Sequence, residues 1–392
     1  MAIEAGGVRA ARPPAGQRRP PAGQRRRELA ETAATHFHRL GFHRVALADV
    51  AAGVGVTAPA VYRHFRNKNA LLAGAVATGL DHVEAALDGA TGLADALDRL
   101  TDAALARRDF WVLFRREIRH LDDRDRTEAT ARFRGLFDAF TDHVRAARPD
   151  VDAGQAQLLA AGAFAALASP STRPLDLPHE RYRTGLARAA TAACATVLPA
   201  AAPGRPARGR RAAASPDRGE QVLETAIALF HRHGYAAVSV DDIGAAAGMA
   251  GPSIYHHYPT KAELLLAAFS RAAALLPRPD PGAADPLGDL VERYTGLAVQ
   301  HRELFGVYVT EDINLPPAAT REIAAALRAD VDRWVATVRA ARPGLAAVDA
   351  ELLVHAARNA VHDLAGTGRR HPGPGVEARI AALAGAILHA GP

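Results

Sequence analysis

The sequence predicts an all-α protein made of two tandem units, each a small three-helix domain followed by a larger helical domain. Three observations carry this expectation. A set of residues recurs at one constant offset. Apolar residues fall three and four apart through Ala- and Leu-rich segments, the spacing of amphipathic helices, and no convincing alternating strand pattern interrupts them. An Ala/Pro/Gly/Arg-rich stretch, too poor in apolar side chains to fold, separates the copies.

The repeat is specific. Phe37, Gly41, Val45, Asp49, Gly55, Pro59, Tyr62, His64, Lys68, Leu71 and Leu72 return 193 residues later as Phe230, Gly234, Val238, Asp242, Gly248, Pro252, Tyr255, His257, Lys261, Leu264 and Leu265. Farther on, VRAARP at 144–149 returns at 338–343, so the duplication extends over whole domains. The expected division is a disordered basic tail (1–27), a three-helix domain (28–72), a helical body (73–198), a basic linker (199–218), a second three-helix domain (219–265) and a second body (266–392). The chain's net charge of +6 resides in the tail and the linker, which leaves the folded parts net negative. Flexible arginines beside a folded unit suit phosphate contact. The single cysteine, Cys194, excludes an intrachain disulfide framework and fits a reducing compartment. No run of about eighteen uncharged apolar residues suggests a membrane span, and the Arg/Pro-rich start does not resemble a secretory signal. The expected location is cytoplasmic.

In the first copy, Glu28 to Leu40 predicts a helix with Leu29, Ala33, Phe37 and Leu40 on its apolar face, ended by Gly41. Ala48 to Val54 predicts a second helix and Gly55–Val56 a tight turn. Thr57 is placed to cap a third helix through Phe65, with Pro59 in the first turn, where its missing N–H costs little. This spacing is that of a helix-turn-helix whose last helix fits a major groove. Further helix breaks are expected near Pro149 and at Pro170 to Pro178.

The two copies read VGVTAPAVYRHFRNKNALL (54–72) and AGMAGPSIYHHYPTKAELL (247–265). Their shared hydrophobic-Tyr-x-x-Phe/Tyr-x-x-Lys core resembles the signature of the TetR/AcrR family of transcriptional regulators. The resemblance implies a DNA-reading N-terminal unit and a ligand-binding, dimerising helical body in each copy. It places Thr57, Ala58, Ala60, Tyr62, Arg63, His64 and Lys68 at DNA-facing positions. Their second-copy counterparts are Ala250, Gly251, Ser253, Tyr255, His256, His257 and Lys261. The implied function is a sequence-specific, ligand-responsive repressor. Its implied partners are double-stranded operator DNA, a small-molecule effector, and pairing as an intrachain pseudo-dimer or a homodimer. The alternative is a ligand sensor or scaffold with degenerate readers.

Lys68 and Lys261 are the only lysines beside 46 arginines and share one repeat position, which suits a phosphate grip. Tyr62 and Tyr255 are expected to donate hydroxyls to phosphate while their rings pack. Ser239, unlike Ala46, predicts a helix cap. Residues 28–72 are net +2 and residues 219–265 net −3, so the second reader is expected to bind DNA more weakly. Phe110, Trp111, Phe114, Phe133, Phe137 and Phe140, and in the second body Phe305, Tyr308 and Trp334, are candidate pocket residues. Glu117 and Glu311, a few residues beyond the aromatic clusters, could orient a polar ligand group but are expected at the surface, and Asp122 to Arg126 in a solvated loop. The terminal helices, near 152–168, 179–198, 349–365 and 376–390, are candidates for a four-helix interface. No phosphate loop, nucleophile elbow or metal-ligand spacing supports catalysis, a cofactor or a metal.

Overall fold

A computed structural model describes residues 22–200, 217–249, 251–366 and 375–391. Among them every regular element is helical, and the two copies repeat one order of nine α-helices. The first copy comprises α1 (Ala22–Leu40), α2 (Leu47–Gly53), α3 (Ala58–Tyr62), α4 (Lys68–Leu87), α5 (Leu93–Ala106), α6 (Phe110–Val112), α7 (Asp123–Ala147), α8 (Ala153–Thr172) and α9 (His179–Ala195). A π turn (Leu113–Glu117) and a 3-10 turn (Ile118–His120) continue α6. The second comprises α10 (Arg218–His233), α11 (Val240–Ala247), α12 (Gly251–Tyr255), α13 (Lys261–Leu275), α14 (Pro286–Gln300), α15 (Arg302–Thr310), α16 (Pro317–Ala341), α17 (Ala347–Gly366) and α18 (Val376–Leu388).

Four details differ from the sequence expectation, each for a local reason. Helix α1 starts at Ala22, so residues 22–27 are not part of a disordered tail. Two of their arginines have internal partners: Arg25 pairs with Glu28 at 2.9 Å, and the Arg26 guanidinium stacks over the Phe65 ring at 4.4 Å. Leu40 is 43% exposed rather than part of the apolar face, because the chain leaves the helix at Gly41. Asp122 to Arg126 open α7 instead of forming a loop, since the Asp122 carboxylate accepts from Asp125 N at 2.9 Å and caps the first turn. Pro170 lies inside α8, which ends at Thr172. Residues 1–21 and 201–216 of the expected tail and linker lie outside the described residues.

Leu29, Ala33 and Phe37 of α1 are fully buried against α4, which leads from the reader into the body and also packs on α5 and α7. Among the described residues α4 is the one helix long and apolar enough to cross a membrane, with mean hydropathy 1.3. Its apolar composition has a packing explanation in those three neighbours.

Helices α8, α9, α17 and α18 pack together as one four-helix seam, joining the copies within a single chain. Gly162 lets Leu383 approach to 3.1 Å of where a Cβ would stand, and Gly185 does the same for Leu352 at 2.9 Å. Asn359 Nδ2 donates to Ala165 O at 2.6 Å, and Arg181 and Asp349 form a bidentate pair at 2.8 Å. The repeated VRAARP motif has a visible purpose here. Arg148 donates to Cys194 O at 2.8 Å, and its repeat mate Arg342 donates to Leu388 O at 2.7 Å. Each guanidinium thus satisfies carbonyls at the open C-terminus of its copy's last helix. The Cys194 thiol is buried beside this contact, and burial pushes its pKa up to about 12, so it stays protonated and unreactive.

Candidate functional site

Each reader is built on a glycine turn after its first helix. Gly41 (φ 76, ψ 156) and Gly234 (φ 85, ψ 148) occupy backbone conformations open essentially to glycine alone. In the second reader Ser239 caps α11 as expected: Ser239 Oγ accepts from Asp242 N at 3.0 Å, and Asp242 Oδ2 accepts from Ser239 N at 2.8 Å. Ala46 supplies no such bond. Thr57 stands at the N-cap of α3 by backbone conformation, but its side chain makes no capping hydrogen bond. The cap that forms is Asn67, which accepts from Ala70 N at 2.8 Å at the start of α4.

Helix α3 ends at Tyr62, short of the expected Phe65, and buries Val61 while presenting Tyr62 and Arg63 to solvent. Phe65 and Phe37 are core. Thr57 is exposed; Ala58, Ala60 and His64 are half-buried. In the second reader α12 carries Gly251, half-buried Ser253 and exposed Tyr255, with exposed His256 and His257 following. Ala250 lies outside the described residues. Tyr62 and Tyr255 are 56% and 50% exposed, more than a tyrosine kept only for packing would be.

Both lysine ammonium groups meet backbone carbonyls of their own reader. Lys68 Nζ donates to His43 O at 3.2 Å and lies 4.7 Å from the Phe42 ring centre. Lys261 Nζ donates to Tyr235 O at 2.9 Å and Val238 O at 2.8 Å, and lies 4.2 Å from the Tyr235 ring centre. Burial lowers both pKa values from the ordinary lysine value. Both ammonium groups therefore staple the turn after the first helix to the start of the fourth. Lys261→Met is expected to lower stability by about 1–3 kcal/mol, because it strands two half-buried carbonyls. Lys68→Met should cost less, having one longer bond to lose. Urea unfolding checks the order; a Lys261→Met protein as stable as wild type would refute the staple.

The two glycine turns are each gripped by the opposite copy. Ile313 Cδ1 lies 2.7 Å from where a Gly41 Cβ would be, and Arg119 Cζ lies 2.5 Å from the equivalent point at Gly234. Arg119 and Ile313 are themselves repeat mates, at an offset of 194. Arg44 also donates to Ile313 O at 2.8 Å. Behind these contacts stand Glu117 and Glu311, 2% and 0% exposed rather than at the surface. Glu117 accepts from Phe42 N at 3.1 Å and pairs with Arg116, which in turn donates to Phe37 O and His38 O at 2.9 Å. Glu311 pairs with Arg119 at 2.7 Å and accepts from Asn314 Nδ2 at 2.8 Å. Buried carboxylates persist where each finds a cation and hydrogen bonds; Glu117 finds its cation in the adjacent Arg116, whereas the sequence around Glu311 carried no sign of its cross-copy partner Arg119.

The aromatic candidates separate into two cases. In the first body Phe110, Trp111 and Phe140 are buried core. Phe114 packs against Phe133 with tilted rings 4.3 Å apart, and Phe137 and Phe140 close on Phe164 at 5.8 and 5.0 Å. In the second body Phe305 and Trp334 pack around Tyr294, while Tyr308 lines a cavity of about 170 Å³. That cavity lies at the seam of the copies and is faced by Arg115, Arg116, Arg173 and Arg358. Arg358, on α17, pairs with Asp330 at 2.8 Å and donates to Tyr294 Oη at 3.1 Å. The Tyr294 hydroxyl lies 2.7 Å from His362 Nε2. Burial, reinforced by Arg358, holds His362 far below the ordinary histidine value and lowers His355 to about 3, so both imidazoles are neutral. None of these polar residues was singled out from sequence; the signal was available, since their repeat mates Phe164, Leu136 and Ala168 are apolar.

Two helix-turn-helix units, each on a helical body and joined through a shared four-helix seam, define a tandem two-reader protein. The domain described as "Bacterial regulatory proteins, tetR family" matches the chain twice, over residues 29–75 and 222–268, so the chain carries the TetR-family domain in tandem. A curated relative, the HTH-type transcriptional regulator EthR of Mycolicibacterium smegmatis, is 38% identical over 80 residues, covering 20% of this chain. The match spans 36% of that relative's length. Solved structures with a similar fold include a TetR-family transcriptional regulator from Bordetella parapertussis (19% identity, 43% of this chain and 91% of that one, TM-score 0.37). Another is the ketosteroid transcriptional regulator KstR2 of Mycobacterium tuberculosis (22% identity, 46% and 96%, TM-score 0.36).

Proposed function

We propose that the protein is a cytoplasmic, sequence-specific DNA-binding transcriptional regulator, not an enzyme, and that it acts as a ligand-responsive repressor. The observation that carries this is the first reader: a twice-matched regulatory domain in which Tyr62 and Arg63 stand exposed at the end of α3, on a unit of net charge +2. Phosphate contact is dominated by charge. The second reader, net −3 and with histidines where the first has Arg63 and His64, contributes less. The four-helix seam supports a pseudo-dimer within one chain that presents both readers to an operator. For a ligand to switch it, the occupant of the body must bind two reader arrangements with different affinity. The opposite-copy grips on Gly41 and Gly234 are the contacts through which a change in one body reaches the other copy's reader.

The test is fluorescence anisotropy on the DNA flanking its own gene, across a salt series. Arg63→Ala is expected to weaken binding and flatten the log–log salt slope by about one. The pair His256→Ala and His257→Ala should leave both nearly unchanged. If wild type shows no salt-dependent binding to that DNA or to other duplexes, the chain is a sensor or scaffold and the repressor reading fails.

A further inference from the structure

The two bodies descend from one duplicated sequence yet have diverged in their interiors. Arg358, Tyr308, Leu327, Val331 and His362 of the second occupy the repeat positions of Phe164, Phe114, Phe133, Phe137 and Ala168 in the first. In the first body those phenylalanines fill the interior, with Phe133 and Phe137 within 6.2 and 5.8 Å of Phe164. In the second the smaller aliphatics leave a cavity, and a guanidinium replaces the central ring. The cavity is completed across the seam by Arg115, Arg173 and His38 of the first copy. A mate of this site by pseudo-symmetry would have Val309 in place of Arg115 and Phe164 in place of Arg358, and so would lack the guanidiniums.

We propose that the chain has one effector site rather than two, that it is this cavity, and that its occupant is a small anion bearing a carboxylate or phosphate beside a short apolar part. The reading rests on the ligand-responsive function proposed above and names the class of ligand. Four arginines face the cavity and Asp312 is the one carboxylate among its lining residues. The carboxylates that pair with Arg115, Arg116 and Arg358 are Asp363, Glu117 and Asp330, and none of them lines the cavity. They orient the guanidiniums from outside the cavity, which matches the forked geometry by which arginine grips carboxylate and phosphate. Arg173 is the loosest of the four, 3.4 Å from Asp312, and a ligand oxygen can displace that contact. Val112, Val309, Leu327 and Val331 supply the apolar wall. The site also includes Asp312 and Ile313, the turn that bears on Gly41 of the first reader, so occupancy acts on the reader that carries the positive charge.

The experiment is isothermal titration of the full chain, without DNA, with hexanoate, with inorganic phosphate and with hexylammonium. Because no DNA is present, its outcome is independent of whether the chain represses. Saturable binding of hexanoate or of phosphate at one site per chain is expected, and whichever binds tells carboxylate from phosphate. Arg173→Met should weaken it by about ten-fold or more, the loss of one charge-assisted contact. A second variant, Asp330→Leu with Arg358→Phe, copies the packed first body and should abolish binding. Two sites per chain, equal binding of hexylammonium, binding unaffected by both variants, or no anion binding tighter than about 1 mM would each overturn the proposal.

Discussion

Asp330→Leu alone is expected to destabilise the protein by about 3–5 kcal/mol, the cost of leaving one member of a buried ion pair without its partner. Asp330 is 1% and Arg358 7% exposed, so the stranded guanidinium keeps little of its solvation. Arg358→Phe alone should cost less, because Arg333, 3.1 Å from Asp330, still neutralises the carboxylate. The two together should recover most of the loss. They recreate Leu136 and Phe164, the pair the first copy holds at the same repeat positions, and replacing a whole buried pair with apolar groups is often neutral or stabilising. Urea unfolding of wild type, both single variants and the double variant forms a complete cycle. Additive single losses would show that the two charges are not coupled, and that the polar interior of the second body is not held by this pair.

A comparable loss is expected at a residue without a side chain. Gly234→Ala should cost about 3 kcal/mol, since its φ of 85 with ψ of 148 belongs to a region nearly closed to other residues. A Cβ there would also stand 2.5 Å from Arg119 Cζ and push that guanidinium off buried Glu311. Gly248→Ala, in the same reader and also at positive φ, should cost only about 1–2 kcal/mol, because its left-handed conformation is milder and nothing lies within 4 Å of the added carbon. Thermal and urea unfolding of the two variants compare them directly. Equal losses would mean that the opposite copy's grip on the turn contributes nothing.

Gly234 and Gly248 are alike in that both recur from the first copy, and the contact that distinguishes them is tertiary. The same holds for the paired lysines. Their shared position was legible in the sequence. Whether the ammonium reaches out to phosphate or back to a carbonyl depends on where the turn after the first helix lies, and local sequence does not specify that. Glu117 and Glu311 were misplaced at the surface for a related reason: a glutamate near an aromatic run is ordinarily solvated, and it is the folding of Phe42 N onto Glu117 and the arrival of Arg119 at Glu311 that make burial affordable.

What the sequence by itself determined is the architecture that rests on local periodicity and on repetition. The all-α class, the two readers, the terminal helices of each body and the contrast in reader charge all follow from spacing, caps and composition, which act within a few residues of one another. The tertiary structure alone decided the pairing of α8 and α9 with α17 and α18 inside one chain, the cross-copy grips on Gly41 and Gly234, and the closing of the second body's cavity by first-copy residues. Each of these depends on residues more than a hundred positions apart meeting across the seam. Helical periodicity says which face a residue occupies but not what comes to cover it.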